Sequence, residues 1–499
     1  MAEVQPALRN ERSRGTFKPH FLALPFPFHG HVNPLLQLSL KYAGSGVAVT
    51  LLNIPYYHSR VTASVQPLVD RSGLPLRLLS LRDDYPLPDL RIRGSMDICL
   101  QRVATVMAEE VESIVCSFME RDPSFSFTCL LADVRIPFAQ RVAKKFSIPW
   151  IAFWTQSAAS FSYHMALANG LHLPADELAV IEGIPGVPSH TVSRAPAISR
   201  RDIVGDFVFD FITKPFLHIH GALAVLINTM SCIEAEALNA LRSQRLNVLP
   251  VGPLLPSSCC GSSESTCSSE KSAGIMTREK HPCLSWLETQ EPGSVLYISF
   301  GTLVCLEETT FTELALGIEA SGLSFLWSLR SDMVAGNHGL FLEAFKERTN
   351  HKGKIWPWVP QLEVLSHSSI GGFLTHCGWN SSLESMCRGV PMIGMPIFGE
   401  QKLNLLCLED RWNVCVAMEA ENICRSKVQR TVSAFFEGAV VQKLRGNAEK
   451  VRDAATAAMA MDGSSSVNIM RALQLTSGGG LDDNIANGRD SRSKQGSWN

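Results

Sequence analysis

Long apolar runs are missing from this chain, and no stretch of its 499 residues approaches the ~18 needed to cross a bilayer. Its opening residues, MAEVQPALRNERSRGTF, are polar and lack the apolar core of a signal peptide. Charge is scarce too: 18% of residues are charged and the formal net charge is −2, so no basic surface is expected for nucleic acid or an acidic membrane. The 14 cysteines form no C-x-x-C pair and no Cys/His cluster at zinc-finger spacing. In a chain this long they read as reduced thiols. These absences predict a cytoplasmic protein with no membrane span and no nucleic-acid partner. No G-x-G-x-x-G follows any predicted strand, which argues against a nicotinamide-dependent oxidoreductase. No Asp-x-Asp pair occurs either, which removes the usual carboxylate clamp for a divalent metal on a diphosphate.

What is present is ample core, at 45% hydrophobic residues, and enough length for two domains. After a flexible extension at 1–17, HFLALPF reads as a strand. VNPLLQLSLKYAGSG reads as a helix capped by Asn33 with Pro34 at its first position, and VAVTLLNIP as a second strand. One helix is predicted around Met96–Met119, then the strand FTCLLAD ending at Asp133, the strand IPWIAFWTQS, and AVLINT leading into the helix SCIEAEALNALRS. The aromatic segment 205–221 follows neither period. A Ser-rich, aperiodic stretch reads as a linker loop at 256–280, and a second alternating series opens at VLYISF. The fold expected is α/β: two facing Rossmann-like doubly wound domains with a cleft between them, at 18–255 and 281–475. The tail 476–499 is low in apolar residues and predicted to be disordered.

Chemistry concentrates in three places. From Trp358 to Gln401 runs WVPQLEVLSHSSIGGFLTHCGWNSSLESMCRGVPMIGMPIFGEQ. IGGFLTH is a strand, CGW a glycine turn, and NSSLESMCRG a helix capped by Asn380 or Ser381 with Gly389 past its end. Strand, turn and helix N-terminus make an anion site from free backbone N–H groups and the positive end of the helix dipole. His376 at the strand's end can donate to the same anion. Glu384, one helical turn beyond Asn380, suits a ribose diol, and Trp358 offers a flat face to a base. Earlier, PFPFHGHVNP places His31 at the mouth of the first sheet, where a helix dipole disfavours imidazolium and leaves a neutral base. Read alone, so short a motif as HGH more often marks a structural loop, or half of a metal site, than a catalytic base. Asp133 can orient His31 or cap the following helix. In SFGT, Gly301 allows close backbone approach to a phosphate and Thr302 can donate its hydroxyl.

The Trp358–Gln401 segment closely resembles the signature box of plant family-1 UDP-glycosyltransferases. W-x-P-Q, THCGWNS, GVP and the terminal Gln all stand in place, with Val359 and Glu400 as departures from the usual small residue and Asp. PFPFHGHVNP resembles that family's P-x-P-x-Q-G-H-x-N-P, with His29 where Gln is usual. The resemblance implies a GT-B fold and inverting, metal-independent transfer of glucose from UDP-glucose to a hydroxyl of a small lipophilic acceptor. His31 would be the base and Asp133 its partner. It further implies that Trp358 stacks on uracil while the backbone of Val359 bonds its edge, and that Gln361 and Glu384 hold the ribose. His376, Asn380 and Ser381 would bind phosphates, with Trp379, Glu400, Gln401 and Thr155 at the glucose. The terminal Gln points to glucose rather than galactose. FWTQSAASFSYH, SFGT and FLWSLR look most like the flavonoid 3-O-glucosyltransferase branch; other phenolics, terpenoids and hormones stay open as acceptors. A non-catalytic UDP-sugar-binding protein would keep the box but could dispense with His31 and Asp133, and both are present.

Overall fold

The computed structural model describes residues 19–82, 95–122, 125–256, 280–336, 338–418 and 423–476. The extension at 1–17, nearly all of the 256–280 linker loop and the tail beyond Thr476 lie outside the described residues.

Apolar runs flanked by amphipathic helices build two parallel sheets. The first contains β1 (His20–Leu24), β2 (Ala48–Asn53), β3 (Leu76–Ser80), β4 (Cys129–Asp133) and β5 (Trp150–Trp154). A short antiparallel pair, β6 (Val180–Ile181) and β7 (His190–Thr191), stands apart before β8 (Ala224–Ile227) and β9 (Val248–Pro250) complete it. The second contains β10 (Val295–Ser299), β11 (Ser324–Ser328), β12 (Gly353–Trp356), β13 (Ile370–Thr375), β14 (Met392–Gly394) and β15 (Cys415–Ala417). Every residue of β4, β5, β10 and β13 is buried, as strands covered by helices on both faces require.

The sheets run in the orders β3-β2-β1-β4-β5-β8-β9 and β12-β11-β10-β13-β14-β15. In each, the first strand is central, the next two lie to one side and the rest to the other. The order therefore reverses between β1 and β4, and again between β10 and β13. A crevice opens beyond the strands' carboxyl ends at such a reversal, and ligands of doubly wound folds bind there. The architecture is the predicted one: two doubly wound α/β domains facing a cleft.

Outside the site, local structure departs from the sequence reading in three places. The helix predicted around Met96–Met119 is two, Ser95–Ala104 and Val106–Arg121, because Thr105 Oγ1 donates back to the Gln101 carbonyl at 2.9 Å and bends the chain. Segment 205–221 resolves into a helix, Asp206–Thr213, and a 3-10 run, Lys214–Gly221. The last helix, Ser464–Thr476, returns to the first domain. Ile469 and Ala472 join that domain's core, Ser465 Oγ donates to the Gly252 carbonyl at 2.6 Å, and Asn468 Nδ2 donates to the Pro250 carbonyl at 2.9 Å. Its polar residues carry hydrogen bonds that a sequence pattern cannot assign to a partner.

The domains are also sewn together at the floor of the cleft. Ala159, Met230 and Ile233 of the first domain share one apolar cluster with Trp379, Leu408 and Trp412 of the second. Arg194–Glu409 and Arg411–Glu236, each at 2.8 Å, flank that seam. Ile469 is buried at 4% exposure, so Ile469→Ala should cost about 2–4 kcal/mol. A lowered unfolding midpoint of the N-terminal domain in urea, although the substitution lies near the chain's other end, checks this.

Candidate active site

The three strands next to the first crevice each deliver one polar side chain at their carboxyl ends. His31 lies in the helix after β1, Asp133 ends β4 and Thr155 follows β5. His31 Nδ1 is 2.7 Å from Asp133 Oδ2 and 3.2 Å from Thr155 Oγ1. Asp133 is fully buried, and its other oxygen accepts the Arg135 backbone N–H at 2.8 Å. Asp133 therefore orients His31 and does not cap the following helix, Ala139–Lys145, whose N-cap is Phe138; its second oxygen holds the turn at Arg135 instead. With Nδ1–H donated to the carboxylate, the Nε2 lone pair of His31 is left to take a proton. Thr155, expected at the donor sugar, has its hydroxyl beside His31 Nδ1 and is buried.

The helix carrying His31 runs His29–Gly44, so it begins before Asn33 rather than at it. Its N-cap is Phe28, without a side-chain cap, and Asn33 Nδ2 instead lies 3.1 Å from His29 Nε2. His31 consequently sits within the first turn, where the dipole acts on it most strongly.

The second crevice gathers the box. β13 ends at Thr375, and Cys377 at φ 62° turns the chain sharply so that Gly378 caps the helix Trp379–Met386. A non-glycine residue in the left-handed region is unfavourable unless held, and Asn404 Nδ2 holds the Cys377 carbonyl at 2.9 Å. The cap is therefore Gly378, not Asn380 or Ser381, and Gly389 does lie past the helix end at φ 69°. The His376 ring lies between two glycines: a Cβ on Gly301 would come within 2.7 Å of its Nε2, and one on Gly378 within 2.4 Å. Burial pushes His376 down to about 4, so the ring is neutral near pH 7 and can offer an N–H rather than a charge. Thr302 is exposed in the adjoining turn, and its carbonyl accepts from Arg330 Nη2 at 3.1 Å.

Gln361 organises a small polar network at the side of this crevice. Its Oε1 accepts from Tyr297 OH at 3.0 Å, and its Nε2 reaches Glu384 Oε2 at 2.7 Å and Ser381 Oγ at 3.1 Å. Trp358 is 64% exposed with its ring 5.9 Å from that of His281, while Val359 beside it is buried. Gln401 is buried, with Oε1 accepting the N–H groups of Ile397 and Phe398 at 2.8 and 3.0 Å, which leaves its amide NH2 to meet a ligand. Glu400 precedes it, half-buried at the helix cap position.

Two box residues make cross-domain contacts that the sequence reading did not predict. The Trp379 indole is buried against Trp412, and its Nε1 donates to the Asn228 carbonyl of the first domain at 2.8 Å, so its indole N–H is already engaged. Asn380 Nδ2 donates to the Gly30 carbonyl at 2.7 Å, across the cleft. Sequence reading found no partner for these groups because both partners are backbone carbonyls of the other domain.

A family model described as UDP-glucoronosyl and UDP-glucosyl transferase matches residues 97–443. The chain belongs to that family. UDP-glycosyltransferase 85A2 of Arabidopsis thaliana is 30% identical to it over 87% of this chain and 92% of the relative. The (R)-mandelonitrile beta-glucosyltransferase of Prunus dulcis is 31% identical over 90% of this chain and 95% of that protein. A crystal structure of Os79 from O. sativa in complex with UDP superposes with a TM-score of 0.77 at 27% identity, covering 92% of this chain and 100% of that one.

In this UDP-glycosyltransferase several residues that shape the crevices carry no motif. Arg135 is buried between Asp133 and the second domain. Its Nη2 lies 2.9 Å from His164 Nε2, its Nη1 donates to the Ile212 carbonyl at 3.3 Å, and its guanidinium packs on Trp154 at 5.1 Å. Burial pushes Arg135 below the usual guanidinium value, opposed by the charges of Glu400 and Asp133. Burial and that guanidinium together hold His164 well below the ordinary imidazole range, and its Nδ1–H is donated to the Ser160 carbonyl at 2.7 Å. Glu234 accepts the Ala158 and Ala159 N–H groups at 2.6 and 2.9 Å, capping the helix Ala158–Ala168 from a distance. Only Arg135, two residues from Asp133, carried a signal in the sequence: a charge inside an apolar run.

Burial raises Glu384 to about 7 despite its bond from Gln361. The folded UDP-glycosyltransferase therefore keeps a proton over a pH range in which the unfolded chain has released it. This group's contribution to stability is full below the ordinary carboxylate range and declines as pH rises to about 7. Glu384→Gln should flatten that decline, measured as the difference between variant and wild-type denaturation midpoints from pH 4.5 to 8.

Proposed function

We propose that this UDP-glycosyltransferase transfers glucose from UDP-glucose to a hydroxyl of a small lipophilic acceptor, with inversion and without a metal. The observation that carries the reading is the His31–Asp133 pair at 2.7 Å, on the wall of the cleft opposite the box. His31 Nε2 takes the acceptor proton while Asp133 stabilises the imidazolium that forms. The freed oxygen attacks the anomeric carbon from the face opposite UDP, and an α-linked donor yields a β-glucoside in one displacement through an oxocarbenium-like transition state.

The leaving diphosphate is met by the first-turn N–H groups of the box helix, by His376 and by the hydroxyls of Thr302 and Ser381. The absence of an Asp-x-Asp pair from the sequence supports doing this without a metal clamp. Uracil lies on the open face of Trp358 against the backbone of Val359. Gln361 and Glu384, already bonded to each other, take the ribose hydroxyls. Gln401 and Glu400 meet the glucose; the extra methylene of Glu400 alters reach without removing the carboxylate.

The acceptor we assign is flat and apolar, a flavonoid or another phenolic. Phe26 lies edge-on to the His31 ring at 5.2 Å, Phe28 and Phe211 lie 4.8 and 6.2 Å from Phe26, and Phe207 stands half-exposed beyond Phe211. The Prunus dulcis relative is named for an acceptor that also combines an aromatic ring with a hydroxyl, which supports a smaller aromatic alcohol as a second candidate.

His31→Ala should retain UDP-glucose affinity and lose transfer by about 10²–10⁴-fold, the range for a general base. Asp133→Asn should lower kcat strongly with donor KM nearly unchanged. Labelled UDP-glucose with a panel of phenolic, terpenoid and cyanohydrin acceptors gives both rates and acceptor class. Undiminished transfer by His31→Ala would remove it as the base, and an α-linked product would remove inversion.

A further inference from the structure

A proline inside a helix is unfavourable, and Pro34 is the sixth residue of the helix His29–Gly44. Without an N–H it cannot bond the carbonyl of Gly30, four residues earlier. That carbonyl is the one Asn380 Nδ2 reaches at 2.7 Å from the other domain. The orientation of the amide is fixed by chemistry: a carbonyl only accepts, so the NH2 must face Gly30, and Oδ1 then lies 3.5 Å from Asn228 Nδ2. Asn228 is itself locked, its Oδ1 accepting the Leu254 N–H at 2.9 Å and its carbonyl accepting Trp379 Nε1 at 2.8 Å. Two consecutive residues of the box helix thus grip two fixed points of the first domain.

We propose that Asn380 is a positioning residue, acting through the carbonyl that Pro34 leaves open. Gly30 immediately precedes His31, and Asn380 lies in the first turn of the helix whose N-terminus faces the diphosphate. This amide therefore links the residue beside the base directly to the helix of the anion site, above a seam that other contacts hold. Its side chain is held by the first domain through one of its two N–H donors, and its backbone N–H is left for phosphate. The kinetic readout rests on the glucosyl-transfer reading given above; the geometric one does not.

Pro34→Ala supplies the missing N–H, which competes with Asn380 for the Gly30 carbonyl and, on this proposal, draws it back toward the helix axis. The expected result is an unchanged or raised melting temperature, unchanged UDP affinity by calorimetry, and kcat reduced about tenfold, equivalent to ~1.4 kcal/mol at the barrier. Asn380→Ala should show a similar fall, and the double variant no further fall, because both changes remove one contact. Small-angle scattering of unliganded Asn380→Ala should give a larger radius of gyration than wild type. Wild-type kcat in Pro34→Ala, additive losses in the double variant, or loss of UDP affinity with kcat preserved in Asn380→Ala would each overturn the proposal. Should the wild type transfer no glucose to any acceptor, the functional reading fails by itself. Scattering then decides alone: an expanded variant upholds the contact and an unchanged profile refutes it.

Discussion

Asp133 has no exposure to water, and a carboxylate so placed must have both oxygens satisfied from within the protein. Removing one partner of such a buried group costs several kcal/mol, so its neighbours are constrained in turn. One oxygen is served locally, by the N–H of Arg135. The other needs a donor from outside the segment, and the strand order supplies it by placing β1 beside β4. The pairing of His31 with Asp133 is thus a requirement of the fold before it is a piece of chemistry. It fixes which nitrogen of His31 carries the proton and which faces the cleft.

The donor side works by a different economy of charge. His376 is neutral near pH 7 and Glu384 is raised to about 7, both because burial disfavours their charged forms. A crevice of this kind recognises by directed N–H and hydroxyl groups. Directed dipoles in a dry site are already oriented before the ligand arrives, which is what a departing diphosphate needs. The two glycines against the His376 ring show how tightly that orientation is held.

Much of this was legible in the sequence because its periodicities are local. The strands around Asp133 and in IGGFLTH, the turn at CGW and the order of the α/β series follow from apolar runs and glycines that act within a few residues. Contacts between distant segments were not legible. Asn33 has the chemistry of a cap and Pro34 the habit of a first helical residue, yet the helix starts at His29, and the Gly30 carbonyl that Pro34 cannot bond is met by Asn380, 350 residues away. Trp379 belongs to the box by pattern, but its indole is an anchor between domains. Glu234 and Arg135 are buried charges whose partners are brought by the sheets. For these residues spacing gave no guide to the partner.

The docking of Ser464–Thr476 on the first domain has a mechanical consequence. The chain passes from the first domain to the second between Pro256 and Lys280, and passes back before Ser464. Only four residues, 460–463, separate the helix Ala439–Met459, whose Val451, Ala455 and Ala458 lie in the second domain's core, from the helix docked on the first. A tether that short caps the separation of the domains at this point at what four residues of extended chain can span.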